Sequence, residues 1–156
     1  MKKFIGRLIY VLNWPYIRFV LKSERVYVLL VDRALAEIFL VKNLVRWHDT
    51  WWLPGGGLVR GESRRQAACR EVREEVGLKL DPGKLKEFIS LPGSNKLRRG
   101  QKTVFVYDFK KRALTYNRRE IAQVAWHSLN EEIAISDSFR PVIAKARTAY
   151  GLSAQA

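Results

Sequence analysis

Residues 56–78 constrain the fold more than any other stretch, and they read GGLVRGESRRQAACREVREEVGL. Ser63 and Gln66 have the spacing of a capping box, which predicts that a helix begins here. Gly77 stands where a left-handed residue would end that helix. One narrow apolar face follows from the i, i+4, i+8 spacing of Ala68, Val72 and Val76.

Three glutamates crowd the last turn of this predicted helix. Glu71, Glu74 and Glu75 stand at i, i+3 and i+4, so their carboxylates gather on one side. The helix macrodipole disfavours negative charge near the C-terminus, and Arg70 alone cannot balance three carboxylates. Two interpretations follow from these residues: a hard divalent cation such as Mg²⁺ bound by the oxygens, or a solvated acidic face.

The spacing of the whole segment resembles the Nudix box, G-x5-E-x7-R-E-U-x-E-E-x-G-U, in which U is aliphatic. All fixed positions of that pattern are matched, by Gly56, Glu62, Arg70, Glu71, Val72, Glu74, Glu75, Gly77 and Leu78. In that family the box forms a loop, a helix and a loop that bind divalent metal. The enzymes hydrolyse a pyrophosphate bond in a nucleoside diphosphate linked to another moiety.

The resemblance also implies roles for individual residues. Arg70 would orient the carboxylates, and Glu120, six residues before Trp126, matches the place of a further carboxylate outside the box. The general base is then Glu71 or Glu120. The implied cofactor is Mg²⁺, with Mn²⁺ as the alternative. The implied metal ligands are Gly55 through its carbonyl, Glu71, Glu74, Glu75 and Glu120. The implied catalytic residues are Glu71, Glu75, Glu120 and Arg70.

The chain of 156 residues, 47% hydrophobic, is long enough for one domain with its own core. Strands and two main helices alternate along it, which indicates an α/β fold. The resemblance sharpens this to an α/β/α sandwich with a mixed β-sheet, in a Nudix domain of residues 24–156 preceded by a basic, apolar segment of residues 1–23. The predicted strands are 26–32, 37–41, 84–91, 103–110 and 122–126, and the second helix is 138–150.

A net charge of +14 indicates an anionic partner or a basic surface kept for solubility. A nucleotide-type small molecule is the expected substrate, and the triphosphate 5′ end of RNA is the alternative. A third hypothesis, a Nudix domain that only binds nucleotide or RNA, is disfavoured because every box glutamate is present. The candidate substrate-binding residues are the aromatic Trp47, Trp52 and Tyr107 and the basic Arg98 and Arg99.

Residues 2–22 are mostly apolar and are interrupted by lysines and arginines, and Pro15 breaks any helix there. No stretch reaches the roughly 18–20 uncharged residues of a membrane span. We expect this segment to pack on the domain or on a second subunit of a homodimer, in preference to an anionic membrane surface. The single cysteine, Cys69, cannot form an internal disulfide and favours a reducing, cytoplasmic location.

Overall fold

The computed structural model describes residues 24–44, 50–92 and 100–151. It opens with a hairpin of β1, Arg25–Asp32, and β2, Glu37–Asn43, which pair antiparallel at Val31 and Ile38. Asp32 fixes the connecting turn, because its carboxylate accepts hydrogen bonds from the N–H groups of the two residues that follow Arg33. The turn occupies residues 33–36, between the strands predicted at 26–32 and 37–41.

Four more strands complete one mixed sheet. They are β3, Gly55–Gly57; β4, Lys86–Leu91; β5, Lys102–Asp108; and β6, Ile121–Ser128. The order is β4-β5-β1-β2-β6, and β3 pairs with the first residues of β1. The strands β1 and β5 run parallel, and the other strand pairs are antiparallel.

Two helices of the described residues, α1, Arg64–Val76, and α2, Arg140–Tyr150, cover opposite faces of the sheet. Side chains of a strand alternate between faces, so the central strand β1 supplies both cores. Tyr27 and Leu29 pack in the cluster that contains α2, whereas Val28 and Leu30 pack in the cluster that contains α1. The α/β/α sandwich with a mixed sheet is therefore confirmed.

The helix signals of the sequence are confirmed in detail. Ser63 accepts from the N–H of Gln66, and the Gln66 side chain accepts from the N–H of Ser63, which completes the capping box. Gly77 ends α1 with a left-handed φ of 67°. The second helix begins later than predicted, because the chain first makes a 3-10 turn at Asp137–Phe139 that buries Phe139.

The predicted strand 84–91 also starts too early. Pro82–Lys84 form a 3-10 turn, since the Asp81 carboxylate accepts from the N–H of Gly83 and closes the backbone there. The segment 1–23 and the predicted residues Trp47, Arg98 and Arg99 lie outside the described residues. Within the described ranges, no helix has the length and apolar character needed to cross a membrane.

Candidate metal and catalytic site

The strand that leads into α1 approaches β1 so closely that a side chain would not fit. Gly55 pairs with Tyr27 and has a φ of 144°, which favours glycine. A Cβ added to Gly55 would lie 2.2 Å from the carbonyl oxygen of Val26. Held in this way, the N–H of Gly55 donates a 2.9 Å hydrogen bond to Oε2 of Glu75, a buried carboxylate.

The next glycine makes room for a second carboxylate. A Cβ added to Gly56 would lie 2.5 Å from the carboxylate atoms of Glu71. Burial raises the pKa of Glu71, and the charge and hydrogen bond of Arg70 act in the opposite direction. Gly55 and Gly56 of β3 thus bring the backbone against the Glu75 and Glu71 carboxylates of α1.

Arg70 ties the remaining acidic groups together. Its guanidinium donates to both carboxylate oxygens of Glu62, to Oε1 of Glu71 at 2.9 Å and to Oε2 of Glu74 at 3.1 Å. A fourth acceptor, the carbonyl of Gly57, is also 2.9 Å away. The hydrogen bond to Glu62, followed by the charge and hydrogen bond of Glu71, raises the pKa of Arg70. The same hydrogen bond between Arg70 and Glu62 lowers the pKa of Glu62.

The part that Glu62 plays was missed by the sequence analysis, although Glu62 is one of the fixed positions of the box. It is the main anchor of Arg70, with distances of 2.9 and 3.1 Å to its two oxygens. Arg70 therefore has more acidic partners than the i, i+4 spacing alone indicated, and the crowding in the last turn is relieved within the protein.

Glu120 belongs to a turn that rests on the end of α1. The N–H of Asn117 donates a 2.8 Å hydrogen bond to the carbonyl of Glu75. The side-chain amide of Asn117 donates to Oε1 of Glu120 at 3.2 Å. Burial is the main cause of the raised pKa of Glu71, and the charges of Glu74 and then of Glu120 add to it. The turn thus brings Glu120 to the same end of α1 as the box carboxylates.

The carboxylate oxygens at the end of α1 suit a hard divalent cation by their chemistry, since Mg²⁺ prefers carboxylate and carbonyl ligands. As they stand, His, Cys, Asp and Glu side chains in the described ranges form no cluster of three or more prepared for a metal. Arg70 accounts for much of this, because it holds Glu71 and Glu74 by hydrogen bonds. A cation would have to compete with that guanidinium for the two carboxylates.

The aromatic candidates lie in the packed part of the domain. Trp52 is half-buried, pairs with Val41 through its backbone and meets the ring of Phe139 edge to face at 5.3 Å. Tyr107 is half-buried in β5, opposite Leu30, and packs against the cluster that contains α1. These contacts describe packing at both positions.

The sequence model of the NUDIX domain family matches residues 21–146 of this chain. A diphosphoinositol polyphosphate phosphohydrolase 3-alpha from Mus musculus is 31% identical over 116 residues, which are 70% of this chain and 65% of that protein. The chain thus spans slightly less than two thirds of this relative. An RNA pyrophosphohydrolase from Legionella pneumophila is 58% identical over 31 residues, 20% of this chain and 18% of that protein.

Solved structures have the same fold. The NUDIX domain of Shewanella oneidensis NrtR, crystallised with ADP ribose, superposes with a TM-score of 0.69 at 16% identity. The match covers 82% of this chain and 88% of that one. The box begins in β3, runs through α1 and ends just after it, and α1 is one of the two helices that enclose the mixed sheet of the described residues. The chain belongs to the Nudix family.

Proposed function

We propose that this chain is a Mg²⁺-dependent hydrolase of a diphosphate bond, with Mn²⁺ as a substitute ion. The observation that carries the proposal is the contact of the Glu71 and Glu75 carboxylates with the glycines of β3, together with the hydrogen bonds of Arg70 to both Glu71 and Glu74. A bound cation would neutralise phosphate charge and make a coordinated water more acidic. The Gly55 carbonyl and these three carboxylates are the proposed ligands, with Glu120 completing the set.

The protein groups have separate roles in this proposal. Arg70 keeps Glu71 and Glu74 oriented toward one side of α1, and Glu62 keeps Arg70 in place. Gly55 positions the Glu75 carboxylate through its N–H. We assign the general base to Glu120 in preference to Glu71, because its carboxylate is on an exposed turn and is not bonded to Arg70.

The proposed substrate is a nucleotide-type or otherwise phosphorylated molecule that contains a diphosphate. The relative that matches 70% of the chain is named for diphosphoinositol polyphosphates, which supports a substrate rich in phosphate. The net charge of +14 supports the same class. RNA with a 5′ triphosphate is the second candidate, favoured by a relative that matches 20% of the chain. A cytoplasmic location is proposed from the single cysteine, Cys69.

A hydrolysis screen tests the proposal. The full chain would be incubated with ADP-ribose, a dinucleoside polyphosphate, diphosphoinositol pentakisphosphate and a triphosphorylated RNA, with Mg²⁺, with Mn²⁺ and with a chelator. We expect metal-dependent cleavage of a diphosphate bond that is lost in Glu71→Gln. Absence of cleavage of every substrate with either metal would contradict the proposal, as would full activity in the chelator.

A further inference from the structure

The turn that begins at Asn117 is fixed at the end of α1 by backbone contacts. The N–H of Asn117 donates to the carbonyl of Glu75 at 2.8 Å, and the N–H of Leu44 donates to the carbonyl of Glu120 at 2.8 Å. Within the turn, the Asn117 side chain accepts from the N–H of Arg119 at 3.1 Å. The position of the turn relative to the box carboxylates is therefore set by hydrogen bonds on both sides.

Two arginines, Arg118 and Arg119, form the exposed tip of this turn. Neither takes part in a salt bridge among the described residues, whereas Arg64 and Arg70 each bind carboxylates. The Arg118 guanidinium lies 5.9 Å from the ring centre of Tyr116. A cation over an aromatic ring keeps its outer N–H groups available for an anion.

Arg118 and Arg119 are not needed to balance the box carboxylates, because Arg70 already binds Glu71 and Glu74. A diphosphate held at the end of α1 would lie beside this turn, because Asn117 is hydrogen-bonded to the carbonyl of Glu75. Guanidinium groups bind phosphate oxygens in pairs of parallel hydrogen bonds, which gives both affinity and orientation.

On the basis of the hydrolase function proposed above, we propose that Arg118 and Arg119 bind phosphate groups other than the two whose bond is cleaved. The preferred substrate is then a small molecule with several phosphates around its diphosphate. Two cations in one tight turn match phosphates crowded on a small scaffold. An RNA strand spreads its phosphates along a track, which is matched by cations distributed along a groove.

The test compares the wild-type chain with the Arg118→Gln/Arg119→Gln double variant. The control is Arg65→Gln/Arg140→Gln, which removes the same two charges from exposed positions outside the turn. Calorimetry would measure the affinity of each for inositol hexakisphosphate. Kinetics would give the ratio of kcat/KM for diphosphoinositol pentakisphosphate to kcat/KM for ADP-ribose, with triphosphorylated RNA as a third substrate.

We expect the double variant to bind inositol hexakisphosphate about tenfold or more weakly, as the loss of charge-assisted hydrogen bonds predicts. The kcat/KM ratio should fall by a similar factor, and the control should retain wild-type values of both. Wild-type affinity in the double variant would overturn the proposal. So would an equal loss of affinity in the control, which would indicate charge alone, or a loss of activity confined to RNA.

The two proposals fail separately in this experiment. If the wild-type chain cleaves none of the substrates, the hydrolase function fails, and the affinity for inositol hexakisphosphate still decides the role of the two arginines. If cleavage occurs and the double variant loses thermal stability and all activities equally, the turn has a structural role and the phosphate-binding proposal is wrong.

Discussion

The backbone N–H of Asn117 donates a 2.8 Å hydrogen bond to the carbonyl of Glu75. This bond joins the loop before β6 to the last turn of α1, where helix carbonyls lack partners within the helix. This contact therefore gives one carbonyl at the end of the helix a hydrogen-bond partner, and it brings Glu120 close to the box carboxylates. The same contact links α1 to the turn that carries Arg118 and Arg119.

Replacement of Glu74 by glutamine should abolish most activity while the chain remains folded. Glu74 is exposed and is bonded to Arg70 at 3.1 Å, so its loss leaves no buried group without a partner. We expect kcat/KM to fall by at least about a hundredfold if the carboxylate is a metal ligand. The exposed Glu132→Gln is the matched control, and turnover of Glu74→Gln at the wild-type rate would contradict the ligand assignment.

Replacement of Arg70 by glutamine should destabilise the chain when no metal is added. The side chains of Glu62 and Glu71 are only 12% and 16% exposed and would lose their charged partner. We expect the free energy of unfolding in urea to fall by about 2–4 kcal/mol.

Arg64→Gln is the control for that measurement, because Arg64 and Glu24 are 39% and 44% exposed. An exposed pair of this kind contributes at most about 1 kcal/mol. Equal losses of stability in the two variants would show that partial burial of the Arg70 network has no special effect.

Addition of one methyl group at Gly56 should impair catalysis more than stability. The new Cβ would lie 2.5 Å from the Glu71 carboxylate, which is the movable end of a side chain. Displacement of that carboxylate should lower kcat/KM by about a hundredfold. The melting temperature should fall by no more than about 4 °C. The control is Gly83→Ala, whose Cβ would lie 3.2 Å from Oδ1 of Asp81 and which should leave activity intact. Wild-type activity of Gly56→Ala would contradict the prediction, because it would show that the Glu71 carboxylate can shift without loss of catalysis.

Asp32 should contribute stability that disappears in acid. Hydrogen bonds from the N–H groups of Lys111, Leu35 and Ala34 lower its pKa, the first being the largest cause. A lowered pKa in the folded state means that the contribution is complete above the unfolded value of about 3.9 and is lost as pH falls through the folded value.

Unfolding of Asp32→Asn should therefore show reduced stability at neutral pH and a difference from wild type that shrinks toward pH 2. Asp137→Asn, at an 87% exposed side chain, is the control. A difference between Asp32→Asn and wild type that stayed constant across this pH range would indicate a steric rather than an ionic effect.

The parts of the fold that depend on neighbouring residues were readable from the sequence. The capping pair of Ser63 and Gln66 and the end at Gly77 fixed the bounds of α1, and the i, i+3, i+4 spacing placed three carboxylates together. The Asp81 turn was also a local signal, but the apolar run after it obscured where β4 begins.

The rest of the site depends on contacts between distant residues, which no local pattern specifies. The bond from Asn117 to Glu75 and the fit of Gly56 against Glu71 are of this kind. Periodicity predicted strands at 26–32 and 103–110, and the second ends earlier, at Asp108. A buried apolar run does not identify the partner of a strand or its direction. The resemblance to the Nudix family predicted the mixed sheet, whereas the register of each strand pair is known only from the structure.

The parallel pairing of β1 with β5 has a consequence for how the protein folds. Residues 25–31 pair with 102–108, so α1 and its carboxylates lie inside the loop that this pairing closes. Closing a long loop has an entropic cost that precedes the stabilising contacts and slows folding. On dilution from denaturant, α1 can become helical early, but the bond between Gly55 and Glu75 must await the docking of β3 on β1. Recovery of activity should therefore follow the slowest folding phase, well after the recovery of helical signal.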